Sequence, residues 1–160
     1  MTKSSVTTSS FFTRQHDTLY KLPSLEILEQ VWPLEADYQM ELLNVLYYLT
    51  PDEVEFQYTL AASFSKISGM KNKALGFHSG WPDITTVWPY KRVEFLELKA
   101  AKGKLSPAQI ECHAFLLELG FDVLVCRTIK EAVSFLVAQG MPLKPKICLD
   151  LIFNSSANHV

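Results

Sequence analysis

Cysteine is scarce in this 160-residue chain, and its number is odd: Cys112, Cys126 and Cys148, with no pair at metal-ligand spacing. That set excludes a disulfide framework and a thiolate zinc site, and it points to a reducing compartment with buried thiols. Histidine is equally thin, since His16, His78, His113 and His159 form no cluster that could hold a zinc centre. His113 falls within a helical stretch and reads as a surface or packing residue. No apolar run approaches the roughly 20 residues that a bilayer span requires. Residues 1–10 are polar and rich in Ser and Thr, without the apolar centre of a signal peptide. A cytoplasmic protein with no membrane association is therefore expected.

Basic charge is also lacking overall, with a net charge of −2. Its distribution is uneven. Residues 64–110 carry eight Lys and Arg against three acidic residues, whereas the segment before them carries three against nine. A basic block in the middle of an acidic chain suits contact with a phosphate backbone, although any single lysine is more often simply solvated.

Asp83, Glu97 and Lys99 sit inside that block. Val93 to Lys99 is rich in β-branched and aromatic residues and predicts a strand, on which Glu97 and Lys99, two apart, share a face. Asp83 heads a second apolar run, Ile84 to Trp88, and Pro89-Tyr90-Lys91-Arg92 supplies a turn, so a hairpin would bring Asp83 beside Glu97. Two carboxylates at strand ends with backbone carbonyls nearby make an oxygen-rich site suited to Mg²⁺ or Mn²⁺. A lysine beside such an ion can position water or stabilise a phosphorane, and Lys99 is the candidate.

These pieces, Glu53-x-x-x-Gln57, Lys73-x-x-Gly76, Gly80-x-Pro82-Asp83, Glu97-x-Lys99 and Lys102-Gly103-x-Leu105-Ser106-x-x-Gln109, occur in an order that resembles the VRR-NUC branch of the PD-(D/E)xK nucleases. The resemblance covers roughly residues 50–143; the segment from Ser63 to Asn72 is shorter than in many members and lacks their Asn-Gly element. It implies an α/β fold, a restriction-endonuclease-like αβββαβ core whose central mixed sheet is flanked by helices. It further implies that Asp83, Glu97, the Leu98 backbone carbonyl and Glu53 bind metal, that Lys99 is catalytic, and that Gln109 holds the lysine or a phosphate. Small stand-alone members are similar to Holliday junction resolvases, which implies DNA as substrate, branched or four-way junctions as its form, and a homodimer. Lys102 and Lys104 are the first candidates for phosphate contact, followed by Lys73, Lys91 and Arg92.

Plainer explanations compete at each position. A Glu-x-Lys arises by chance about once in a chain of this composition, and an Asp after Pro is often a turn residue. Thr50-Pro51-Asp52-Glu53 and Ser106-Pro107-Ala108-Gln109 both read as capping boxes at helix starts, so capping alone would explain Glu53 and Gln109. The ordered combination is more specific than any member of it.

The expected layout is a disordered arm over 1–18, a helical extension over 19–49 broken at Pro33, a nuclease domain over 50–145, and a C-terminal segment over 146–160 whose residues 147–153 either add an edge strand or pack across the surface. In the extension, apolar positions recur from Leu25 to Trp32 and from Tyr38 to Leu49. After the site, a helix from Pro107 to Leu119 is expected to lay Ile110, Ala114 and Leu117 on the sheet. A buried strand over 121–126 and a helix over 129–139 follow. Two classes of function remain: an endonuclease, either junction-selective or less specific on single-stranded, flap or foreign DNA, and an inactive DNA-binding or assembly module.

Overall fold

Tyr38, Leu42, Val45, Leu46 and Leu49 recur at helical spacing, and all are 1% exposed or less in the computed structural model of the protein, which describes residues 24–31, 33, 35–59 and 78–145. They lie on α2 (Glu35–Leu49), which follows a short α1 (Leu25–Glu29). The remaining elements are β1 (Glu55–Tyr58), β2 (Ile84–Trp88), β3 (Arg92–Leu98), α3 (Pro107–Glu118), β4 (Val123–Cys126) and α4 (Ile129–Ala138). From α2 to β4 the order is αβββαβ.

The four strands form one sheet in the order β1-β2-β3-β4, antiparallel across the first two pairings and parallel across the last. β2 and β3 make the expected hairpin, with Ile84 opposite Leu96 and Trp88 opposite Arg92. Its tip holds Tyr90 and Lys91 at φ 69° and 62°. Alternation along β3 sends Leu96 and Leu98 to one face and Phe95, Glu97 and Lys99 to the other. On the first face α2 and α4 complete the main core, where Leu46, Ile84, Leu96 and Leu136 are fully buried. Each such side chain contributes about 1.5–3 kcal/mol through the apolar surface it removes from water. The opposite face is covered by α3 and by an aromatic row: Trp81, Phe95 and Phe121 meet edge to face at 5.5 and 5.7 Å.

The structure corrects two expectations. No helix starts at Pro51. Thr50 instead closes α2: its backbone N–H and its hydroxyl both donate to the Leu46 carbonyl, at 3.0 and 2.6 Å. Pro51, having no N–H to continue the ladder, ends the helix there. Lys144 takes the orphaned carbonyls, its backbone N–H donating to Leu49 and its ammonium to Tyr47, at 2.8 and 3.3 Å. The first core helix is therefore α2, inside the segment read as an extension. Second, Ile110, Ala114 and Leu117 do not lie on the sheet, for Ile110 and Leu117 are 57% and 64% exposed. The inward row of α3 is Gln109, His113 and Leu116, rotated by roughly one residue, about 100°. The sheet face beneath it carries a carboxylate, so the helix presents polar partners there. The arm over 1–18, Lys73 and the segment over 147–153 lie outside the described residues.

Candidate active site

Asp83 precedes the first residue of β2, and its backbone carbonyl accepts from Thr59 N–H at 2.8 Å, one step beyond the β1 register. That rung fixes the end of the strand. Its carboxylate Oδ2 accepts from the Leu98 backbone N–H at 2.8 Å, so the aspartate is tied to the end of β3 beside Glu97. Hairpin register thus brings together two carboxylates that are fourteen residues apart in the chain.

Glu97 is fully buried, which for a carboxylate demands partners. Its Oε1 receives the Lys99 ammonium at 2.6 Å and the Gln109 side-chain amide. The Lys99 ammonium also donates to the Leu98 carbonyl at 3.0 Å. A positive charge therefore rests between a glutamate oxygen and a backbone carbonyl. These are two of the oxygens expected from the sequence to bind a cation, and both accept from the ammonium here. The donor set fits a hard divalent ion that keeps several waters, because it offers carboxylate and carbonyl oxygens and few protein ligands. Among the described residues no group of three His, Cys, Asp or Glu side chains converges on one point.

Gln109 serves the helix and the carboxylate at once. Ser106 caps α3, its hydroxyl accepting from Gln109 N–H at 3.2 Å, while Gln109 Oε1 accepts from Ser106 N–H at 2.9 Å. The opposite end of the same amide donates to Glu97. Capping thus orients the donor. Gly80, at φ 85°, lets the chain before Asp83 run against this turn. A Cβ there would collide with the Ala108 carbonyl and lie 2.7 Å from Gln109 N. Gly103 similarly allows the following loop to close over the Lys99 stem, where a Cβ would meet Cδ at 3.2 Å.

His113, read from sequence as a surface or packing residue, is a fifth member. Its Nε2 lies 3.4 Å from Glu97 Oε2, with the side chain 13% exposed. Burial lowers its pKa, and the neighbouring Lys99 charge lowers it further. The signal for it was its i+4 spacing from Gln109, which places both on one face of α3.

The other expected residues distribute differently. Glu53 lies exposed in the turn between α2 and β1. Since Thr59 faces Asp83, the whole of β1, about 13 Å, separates Glu53 from the site. Lys91 and Arg92 stand at the hairpin tip, the far end of β2 and β3 from Asp83. Lys102 and Lys104 are exposed on the loop just after Lys99, and Arg127 anchors that loop by donating to the Gly103 carbonyl at 3.1 Å.

The family model of the VRR-NUC domain matches residues 26–129, well over half of the chain. Its matched span includes α2, in keeping with the helix's place in the core. No curated protein and no solved structure matches. No helix of the described residues is long and apolar enough to cross a membrane. A VRR-NUC domain implies nuclease activity on DNA, and the cluster of Asp83, Glu97, Lys99 and Gln109 lies within the matched span. By that match the chain belongs to the VRR-NUC domain family.

Proposed function

We propose that the protein is a metal-dependent endonuclease of the PD-(D/E)xK class that hydrolyses DNA phosphodiester bonds, selects branched or four-way junction DNA, and acts as a homodimer. The observation that carries the reading is the Lys99 ammonium held by Glu97 Oε1 and the Leu98 carbonyl, with Asp83 tied alongside. Asp83, Glu97 and the Leu98 carbonyl would hold Mg²⁺ or Mn²⁺. Such an ion supplies a water of lowered pKa and neutralises charge on the scissile phosphate.

Lys99 is the cationic donor nearest those oxygens, and its role is to hold the attacking water or the charge that develops on phosphorus. Gln109 keeps Glu97 aimed through the donor on its amide. Lys102 and Lys104 guide the backbone toward the site, and their charge makes binding dependent on salt. Water adds to phosphorus, one ester P–O bond breaks, and the departing oxygen takes up a proton.

Homodimerisation follows from the two cuts that a symmetric junction requires. α3 and its C-cap present Ile110, Phe115, Leu117 and Leu119, each more than half exposed, as the face for a second copy. The test pairs cleavage with binding. Lys99→Ala is expected to abolish cutting while junction affinity stays within about threefold, since few phosphate contacts change. Full turnover in that variant would refute the site assignment. Light scattering should return a dimer on junction DNA, and a monomer both free and bound would remove the dimer from the proposal.

A further inference from the structure

His113 stands at the site without a role in the chemistry just described. Its Nε2 has no hydrogen-bond partner among the described residues, although the side chain is only 13% exposed on the capped α3. It lies 3.4 Å from Glu97 Oε2 and yet does not hydrogen-bond to it. Two donor atoms bound to one first-row ion by bonds of about 2.0–2.2 Å stand about 3.0–3.5 Å apart. The spacing of Nε2 and Oε2 falls in that range, on the carboxylate whose other oxygen already holds the lysine cation.

We propose that His113 Nε2 is a nitrogen ligand of the divalent ion at this site, shared with Glu97 Oε2, and that it biases the centre toward Mn²⁺ over Mg²⁺. The inference rests on the metal-dependent reading above. An all-oxygen set suits Mg²⁺, whereas an imidazole suits transition ions and gains Mg²⁺ little. Waters and a substrate phosphate complete the coordination.

The experiment is a titration of the full chain with Mn²⁺ alone, followed by electron spin-echo spectroscopy of the bound ion. The variants His113→Ala, His113→Gln and Asp83→Asn are measured in parallel, with folding checked by circular dichroism. Wild type should show ¹⁴N coupling from a directly bound imidazole. Both His113 variants should lose the coupling and about tenfold or more in Mn²⁺ affinity, the scale on which loss of even an outer partner acts, while Mg²⁺ affinity changes less than about twofold. Bound Mn²⁺ with no ¹⁴N coupling in wild type overturns the ligand assignment. If Asp83→Asn still abolishes that binding, the metal-dependent reading survives the failure. Equal losses of Mn²⁺ and Mg²⁺ affinity in His113→Gln also overturn the selectivity. No Mn²⁺ binding at all overturns this inference and the metal-dependent reading together.

Discussion

Lys99 and Glu97 form a pair at 2.6 Å in which both side chains are nearly inaccessible, at 6% and 0% exposed. Two charges removed from water hold each other in place, and deleting one leaves the other buried without its ion partner, at a cost of about 3–5 kcal/mol. Lys99→Ala should therefore lower the melting temperature, and saturating Mg²⁺ should restore more stability to this variant than to wild type, because the ion replaces the missing cation. Thermal melts with and without Mg²⁺ measure both effects; an identical Mg²⁺ response in the two proteins would contradict the shared oxygen site. At this scale the sequence was most informative about Asp83, Glu97 and Lys99, since strand alternation and one hairpin suffice to relate them. Gln109 was legible as a cap or as a site residue; its side chain completes the cap on Ser106 and its amide also donates to Glu97. His113 was not, because helix periodicity places a residue on a face without saying which face is turned inward.

Elements explain why that face was misread. Ile110, Ala114 and Leu117 make an apolar stripe, and an apolar stripe ordinarily faces the core. Here α3 covers Glu97, so its inward row is an amide, an imidazole and Leu116, and the apolar stripe is left outside. The helix at Pro51 failed for a related reason. A Thr-Pro-Asp-Glu run fits a helix start and also the stop of the helix before it, and only the Leu46 carbonyl, which receives both donors of Thr50, decides. The β2–β3 hairpin and α4 needed no such long-range information, because each is specified by local alternation, caps and turns. The contact between Gly80 and the first turn of α3 joins two elements that the site needs together. Gly80→Ala puts a side chain at φ 85° and against the Ala108 backbone, so it should cost about 2 kcal/mol or more. It should also displace Gln109 from Glu97, and cleavage should fall further than the melting temperature alone explains. Unchanged stability and turnover would mean that the loop and helix are not held in register.

Over the whole molecule, a net charge of −2 coexists with a basic block around the site. Of that block, Lys102 and Lys104 flank the site on a loop anchored by Arg127, while Lys91 and Arg92 sit at the opposite end of the hairpin. Changing Lys102 and Lys104 to Glu should weaken DNA binding of every sequence alike and flatten the salt dependence by about 0.9 in slope for each phosphate no longer neutralised. An unchanged slope would move the DNA track to another surface. The domain boundary drawn near residue 50 had no counterpart in the packing, since α2 fills the same core as the sheet and α4; the motifs that suggested the boundary all follow α2, which carries only an apolar pattern. The most direct measurement is cleavage of end-labelled four-way junction, flap, single-stranded and linear duplex DNA in Mg²⁺ or Mn²⁺, with Asp83→Asn purified in parallel. The predicted result is metal-dependent cutting, strongest on the junction and absent in the variant. Cutting that persists in Asp83→Asn, or no cutting of any substrate by wild type, would contradict an endonuclease built on Asp83, Glu97 and Lys99.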